Sequence, residues 1–138
     1  MTVFLDTNVL IDVIVGREPF LDDSKAVLTL CFSGAVEGWV SDLTFCNIAY
    51  IMRKQFGAEA LREKLRYLKS GLFVCPVGEA AISLAIDNFT TDFEDEVQML
   101  AADAANVDYI VTRNKEHFGA SRIPVYTPSE FRAFYSSK

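Results

Sequence analysis

Two acidic positions could bind a metal ion. Asp6 directly follows the apolar run Thr2–Leu5, and Asp95 lies in the segment 92–96, where four of five residues are acidic. Acids at a helix N-terminus gain only about 0.3–1 kcal/mol each from the helix dipole, and mutual repulsion opposes such crowding. A divalent cation would remove that repulsion, and oxygen ligands favour Mg²⁺ or Mn²⁺. We therefore predict that Asp6 and Asp95 bind one divalent metal ion, with too few carboxylates to hold a second ion tightly.

Helix capping is the alternative explanation for these acids. A helix-like apolar run begins at Val9, and either Asp6 or Asn8 could cap it. Asp92 has the position of an N-cap for the helix that follows it. The residues alone leave both explanations open.

Polar residues near a later strand would complete the site. Asn114 comes shortly after the apolar run 109–112, and His117, the only histidine, follows three residues later. We predict that Asn114 and His117 are catalytic residues that contact the metal, its waters or the reacting atoms. A turn for Asn114 and a structural or surface role for His117 are the alternatives. The predicted supporting residues are Thr7, Asn8, Asn47, Asp92 and Thr112.

Short apolar runs alternate with helical periods along the chain. Five runs are strand candidates, namely 2–5, 38–41, 72–75, 109–112 and 124–126. Near-continuous apolar strands are typical of a parallel sheet that is covered on both faces. We predict an α/β fold, a three-layer α/β/α single domain (residues 1–138) with a central, mainly parallel five-stranded sheet. Ligands bind such sheets at the carboxyl ends of the strands, where Asp6 and Asn114 stand.

Several helices can be located from their periodicity. Residues 58–70 predict a helix that Gly71 ends, residues 97–105 form a clean apolar stripe, and Pro128 opens a last helix. The predicted helix 43–56 has apolar residues outside its main stripe. They indicate a helix that is buried on more than one side, either in a homodimer interface or fully inside the domain. They are Leu43, Cys46, Tyr50 and Ile51.

The charge distribution is uneven. The net charge of −6 argues against nucleic-acid binding through the overall charge of the protein. Residues 53–69, however, carry six Lys/Arg and two Glu. Residues 87–103 instead carry six acids and no base. A protein with one acidic focus and one basic face could hold a cation at the first and phosphates along the second. The candidates for RNA contacts, with a solvated face as the alternative, are Arg53, Lys54, Arg62, Arg66 and Lys69.

The remaining composition excludes other classes of site. Three widely spaced cysteines without a Cys-x-x-Cys pair disfavour a zinc or redox motif, and we expect all three to be buried. The apolar stretches are too short to span a bilayer, and the N-terminus lacks the pattern of a signal peptide. We expect a cytoplasmic protein without a membrane partner.

Four segments, in order along the chain, resemble the motifs of PIN domains. They are Val3–Asp12, Ser41–Asn47, Asp92–Asp95 with Gln98 and Ala101-Ala102, and Ile110–Asn114. The resemblance implies a Mg²⁺- or Mn²⁺-dependent endoribonuclease that cleaves single-stranded RNA and whose acidic residues hold the metal. It further implies a VapC-type toxin of a toxin–antitoxin pair, which forms a homodimer and is inhibited by an antitoxin protein.

The chain departs from this pattern at three positions. Asn47 stands where many PIN domains have Glu, and Asn114 replaces a frequent Asp. The sequence Thr112-Arg113-Asn114 resembles one PIN branch, in which an Asp usually occupies the position of His117. The alternative is therefore a weakened PIN-like module that binds RNA or a protein without cleavage. A haloacid-dehalogenase-like phosphotransferase is disfavoured because Asn8 stands where its second Asp is needed.

Overall fold

A computed structural model describes all residues from 1 to 138. The strands are β1 (Thr2–Leu5), β2 (Glu37–Ser41), β3 (Phe73–Cys75), β4 (Tyr109–Val111) and β5 (Val125–Tyr126). The helices are α1 (Thr7–Val15), α2 (Leu21–Phe32), α3 (Asp42–Met52), α4 (Ala58–Gly71), α5 (Gly78–Asn88), α6 (Phe93–Ala104) and α7 (Pro128–Ser136). A short 3₁₀ turn (Lys115–Phe118) lies between β4 and β5.

The five strands form one sheet in the order β3-β2-β1-β4-β5, and all four pairings are parallel. The chain runs outward from β1 through β2 to β3 and then returns to the other side of β1 with β4. The strand order therefore reverses between β1 and β4, which is where open α/β sheets form a ligand-binding crevice. The sheet topology confirms the predicted α/β fold.

Side chains of β1 alternate between two buried faces. Val3 and Leu5 pack in a core with residues of α1, α2, α3 and α7. Phe4 packs on the opposite face, with residues of α6 and the 3₁₀ turn. This alternation explains why β1 reads as a continuous apolar run, and it confirms the three-layer architecture.

Two glycines are required by close packing. A Cβ at Gly38 of β2 would lie 2.6 Å from the Sγ of Cys31, and a Cβ at Gly71 would lie 2.6 Å from the ring of Phe32. The predicted helix does end at Gly71, but Gly71 is the last helical residue and not a left-handed cap that follows the helix. Its role is to let α4 approach α2.

Helix α3 differs from its prediction. It ends at Met52, and Phe56 packs against the core from the turn that follows. Tyr50 and Ile51 are 62% and 50% exposed, so the idea of a fully internal helix was wrong. Cys46 is also exposed, whereas the other two cysteines are buried as expected.

The last helix begins as predicted. Pro128 occupies the first turn of α7, and Thr127 and Glu130 form a reciprocal capping box. Among the helices, none combines the length and the apolar character needed to cross a membrane.

Candidate functional site

Asp6 is the N-cap of α1, one of the two roles that the sequence left open, and it also lines the acidic cleft. Its backbone N–H donates to the carbonyl of Val111 at 3.0 Å, which carries the β1–β4 pairing to the end of the strand. Its Oδ1 accepts from the backbone N–H of Thr7 at 2.9 Å and so caps α1. Its Oδ2 accepts from the Thr112 hydroxyl at 2.7 Å and from the Asn8 amide at 3.3 Å. The cap thereby fixes a carboxylate, only 2% exposed, at the carboxyl end of β1.

Asp95 is positioned by the start of α6. Asp92 is the N-cap of this helix, and its Oδ1 accepts from the backbone N–H of Asp95 at 2.8 Å. The Oδ2 of Asp95 lies 2.6 Å from the Nδ1 of His117, which the 3₁₀ turn brings over the helix. Potential ligand atoms of Asp92, Asp95 and His117 all lie within 4.8 Å of one another.

Glu94 is a third carboxylate that the sequence analysis missed. Potential ligand atoms of Asp6, Glu94 and Asp95 lie within 4.8 Å of one another. The Oε1 of Glu94 accepts from the Asn47 amide at 2.7 Å, so this amide nitrogen is engaged within the protein. The structure thus adds Glu94 to the two carboxylates, Asp6 and Asp95, that the sequence predicted as metal ligands.

A buried glutamine orients Glu94. The Nε2 of Gln98 donates to Glu94 Oε1 at 3.1 Å and to the Thr44 hydroxyl at 3.2 Å. The hydroxyl of Ser41 donates to Gln98 Oε1 at 2.7 Å. Gln98 is fully buried and lies one helical turn after Glu94. A polar residue in the apolar stripe of α6, four positions after an acid, was the signal that could have revealed Glu94.

Burial makes the cluster costly to ionise. It is the largest cause that raises the pKa of Asp6 to about 6, and the charge of Asp95 adds to it. Burial likewise raises the pKa of Glu94 to about 7, with contributions from Asp6 and Asp95. The hydrogen bond to Asp95 raises the pKa of His117 above its ordinary value. A cation would relieve the repulsion that these shifts reflect.

The donor set fits Mg²⁺ or Mn²⁺. Three carboxylates supply hard oxygen ligands, and the cysteines take no part in the cluster. The buried hydroxyl of Thr7 has no hydrogen-bond partner and belongs to the same cleft. An unpaired buried polar atom beside three carboxylates is consistent with a hydrated cation.

The cleft at the carboxyl ends of β1 and β4 has a volume of 450 Å³. It is lined by Asp6, Thr7, Asn8, Ile11, Arg17, Asn47, Ile51, Asp92, Glu94, Asp95 and Asn114. Seven predicted site residues are in this set. Thr112 and His117 adjoin it through their hydrogen bonds to Asp6 and Asp95. Arg17 was not foreseen.

The predicted basic residues lie elsewhere. Arg62, Arg66 and Lys69 line a groove of 810 Å³ beside α4 that shares no lining residue with the acidic cleft. Arg62 pairs with Glu59 at 3.0 Å, as the solvated-face alternative predicted. Arg53 stacks on the exposed ring of Tyr50. None of the five predicted basic residues lines the acidic cleft.

Solved structures share this fold at low sequence identity. VapBC-1 from nontypeable Haemophilus influenzae is 16% identical, with a TM-score of 0.70, covering 94% of this chain and 99% of the other. VapBC2 from Rickettsia felis, bound to a promoter DNA fragment, is 19% identical, with a TM-score of 0.67 and coverages of 92% and 98%. The sarcin–ricin loop cleaving toxin VapC20 from Mycobacterium tuberculosis is 12% identical, with a TM-score of 0.62 and coverages of 78% and 86%.

No curated protein sequence matches the chain. The family model described as PIN domain matches residues 2–116, which include β1, the capped start of α6 and the 3₁₀ turn up to Glu116. The match thus includes Asp6, Glu94 and Asp95. The chain belongs to the PIN domain family.

Proposed function

We propose that this chain is a Mg²⁺- or Mn²⁺-dependent endoribonuclease that cleaves single-stranded RNA. The observation that carries the proposal is the convergence of Asp6, Glu94 and Asp95 at the crevice between β1 and β4. PIN domain proteins are generally nucleases, and an acidic cluster of this kind supports a metal-assisted reaction. The cluster holds one ion in this proposal, because the three carboxylates form one group whose potential ligand atoms lie within 4.8 Å of one another.

Five residues of the cleft have roles in the proposed reaction. Asp6, Glu94 and Asp95 would hold the ion, which when bound neutralises charge on a phosphate and lowers the pKa of a water. Asn47 keeps Glu94 pointed into the cluster through the 2.7 Å hydrogen bond. Asn114, on the rim of the cleft, is suited to bind a phosphate oxygen through its amide.

His117 is the proposed proton-transfer group. Its Nδ1 is held by Asp95 at 2.6 Å, which orients the ring and raises its pKa. Its side chain is 30% exposed, so Nε2 can reach a leaving oxygen or a water. A carboxylate that orients an imidazole through one nitrogen and leaves the other for chemistry is a common arrangement for acid–base catalysis.

The first test is cleavage of a single-stranded RNA of mixed sequence in Mn²⁺, Mg²⁺ or EDTA. We expect metal-dependent cleavage that Asp95→Asn abolishes, while the matched variant Asp103→Asn, at the exposed end of the same helix, retains it. A folded wild-type protein that neither cleaves RNA nor gains melting temperature in Mn²⁺ would contradict the proposal. That result would instead favour the module that binds without cleavage.

We also propose that the chain is the toxin of a toxin–antitoxin pair and that it forms a homodimer. Its fold matches proteins solved as VapBC complexes, one of them bound to a promoter DNA fragment. The exposed apolar residues Tyr50 and Ile51 of α3 suit an interface. Expression of the wild-type protein should arrest growth whereas Asp95→Asn should not, and normal growth with the wild type would contradict the toxin role.

Light scattering should give twice the mass of one chain, and a monomeric mass would contradict the homodimer.

The basic face of α4 is a candidate for more distant RNA phosphates. Charge reversal at Arg62, Arg66 and Lys69 should weaken RNA binding and lower its salt dependence. Unchanged affinity and salt slope would remove these residues from the proposed interface.

A further inference from the structure

The acidic cleft is lined by a single basic side chain. Four of its eleven lining residues are acidic, and Arg17 is the only basic residue among them. Phosphates and carboxylates repel each other, and one bound ion would offset only part of the charge of four carboxylates. Arg17 is the one side chain of the cleft that could add positive charge for a substrate phosphate.

A left-handed cap at the end of α1 fixes the backbone just before Arg17. Gly16 ends this helix in the left-handed conformation, with φ of 67°, and the N–H of Arg17 donates to the carbonyl of Asp12 at 2.9 Å. A left-handed residue at this point favours glycine. Arg17 follows directly after this cap and lines the cleft.

The carboxylate of Asp12 attracts Arg17 but leaves the N–H donors of its guanidinium unused. The Arg17 Nη1 lies 3.8 Å from the Oδ1 of Asp12, which is too long for a hydrogen bond. This Oδ1 is buried and has no hydrogen-bond partner. The other oxygen of Asp12 accepts from Arg113 Nε at 2.7 Å and from the Ser24 hydroxyl at 3.2 Å. The carboxylate of Asp12 thus attracts the guanidinium of Arg17 by charge, without a side-chain hydrogen bond.

The guanidinium of Arg17 is free for a ligand. Its only ion pair is with Asp12, none joins it to the acids of the cleft, and its side chain is 45% exposed. A planar guanidinium with five N–H donors matches the oxygens of a phosphate and binds them in pairs. We propose that Arg17 binds a backbone phosphate of the single-stranded RNA substrate; this inference rests on the proposed ribonuclease function.

The test compares Arg17→Gln with Arg122→Gln. Arg122 is 86% exposed, contacts Asp103 only at 4.0 Å and does not line the acidic cleft. We expect Arg17→Gln to raise the KM for RNA about tenfold, with kcat and the Mn²⁺-dependent rise in melting temperature unchanged. The slope of log affinity against log salt should fall by about 0.7, the value for one contact to a single strand. Arg122→Gln should match the wild type.

Three results would overturn the inference. They are a KM for Arg17→Gln equal to that of the control, a loss in kcat alone, and loss of the Mn²⁺-dependent stabilisation, which would place Arg17 in the metal site. If the wild type does not cleave RNA, the proposed function fails separately. Binding of a short fluorescein-labelled single-stranded RNA then decides the matter. Weaker binding by Arg17→Gln than by the control supports the role, and equal binding or no binding by the wild type refutes it.

Discussion

Glu94→Gln changes the charge of the cluster while it keeps the shape of the side chain. The glutamine Oε1 can still accept from Asn47 and Gln98, the two donors that hold Glu94 in place. An amino group replaces the other oxygen in a cluster where Asp6 and Asp95 remain as acceptors. We therefore expect the variant to be more stable than the wild type without metal, and to respond less to metal.

The magnitude follows from the raised pKa. Burial is the main cause that moves the pKa of Glu94 from 4.5 to about 7, and each pKa unit is worth about 1.4 kcal/mol. Full conversion would give about 3.5 kcal/mol. Because Glu94 is partly exposed, solvent screening reduces this to about 1.5–2 kcal/mol. Loss of a charge in the first turn of α6 costs about 0.3–1 kcal/mol of dipole stabilisation. The net gain is about 1 kcal/mol, or about 3–5 °C in melting temperature.

The sign of the pH dependence is fixed by the direction of the pKa shift. An acid whose pKa is higher in the folded state stabilises the fold at low pH, and that stabilisation is lost as pH rises towards the folded value. For Glu94 the loss runs from about 4.5 to about 7. The advantage of Glu94→Gln should therefore be full at pH 8 and mostly gone at pH 5.

Thermal unfolding in EDTA and in Mn²⁺, at both pH values, measures these effects. The matched control is Glu96→Gln, on the same turn of α6 but outside the cluster, because it loses a similar dipole term. A melting temperature of Glu94→Gln at or below that of Glu96→Gln, at pH 8 in EDTA, would refute the reasoning. So would an undiminished response of Glu94→Gln to Mn²⁺.

Three further expectations can be checked by thermal unfolding. Because protons compete with metal for carboxylates with pKa values of about 6 and 7, the Mn²⁺-dependent gain in melting temperature should be small at pH 5 and full near pH 8, and an equal gain at both would contradict this. Arg113→Leu leaves the fully buried Asp12 without its 2.7 Å partner, so it should destabilise the fold by about 3 kcal/mol, whereas a loss below about 1 kcal/mol would mean that Arg17 or water compensates. Gly38→Ala places a Cβ 2.6 Å from Cys31 Sγ and should cost about 1–3 kcal/mol; an unchanged melting temperature would show that the core yields there.

Local sequence patterns determined much of this protein. Apolar runs of a few residues located all five strands, since strands covered on both faces must be apolar throughout. Asp6, Asp92 and Thr127 are the caps of their helices, because capping depends only on neighbouring residues. The carboxyl-edge rule then placed Asp6 and Asn114 at one cleft, and the structure has both there.

Tertiary structure decided which of the neighbouring acids belong to the cluster. Successive residues of a helix point about 100° apart, so Glu94, Asp95 and Glu96 cannot all face one point. The rotation of α6 about its axis determines which of these acids face the cluster. The burial of Val97 and Ala101 against other elements sets that rotation. The hydrogen bond between Glu94 and Asn47 spans 47 residues and has no local signature.

The same reason explains the arginines. A run of bases on α4 was conspicuous in the sequence, yet the fold places Arg62, Arg66 and Lys69 along a separate groove. The single base in the acidic cleft is Arg17, which carries no pattern around it in the sequence. Its position depends on the left-handed turn after α1 and on the charge of Asp12 beneath it. The sequence by itself determined the elements and their caps, whereas only the packing of those elements decided which charges meet, because charges distant in the chain become neighbours only when the layers close.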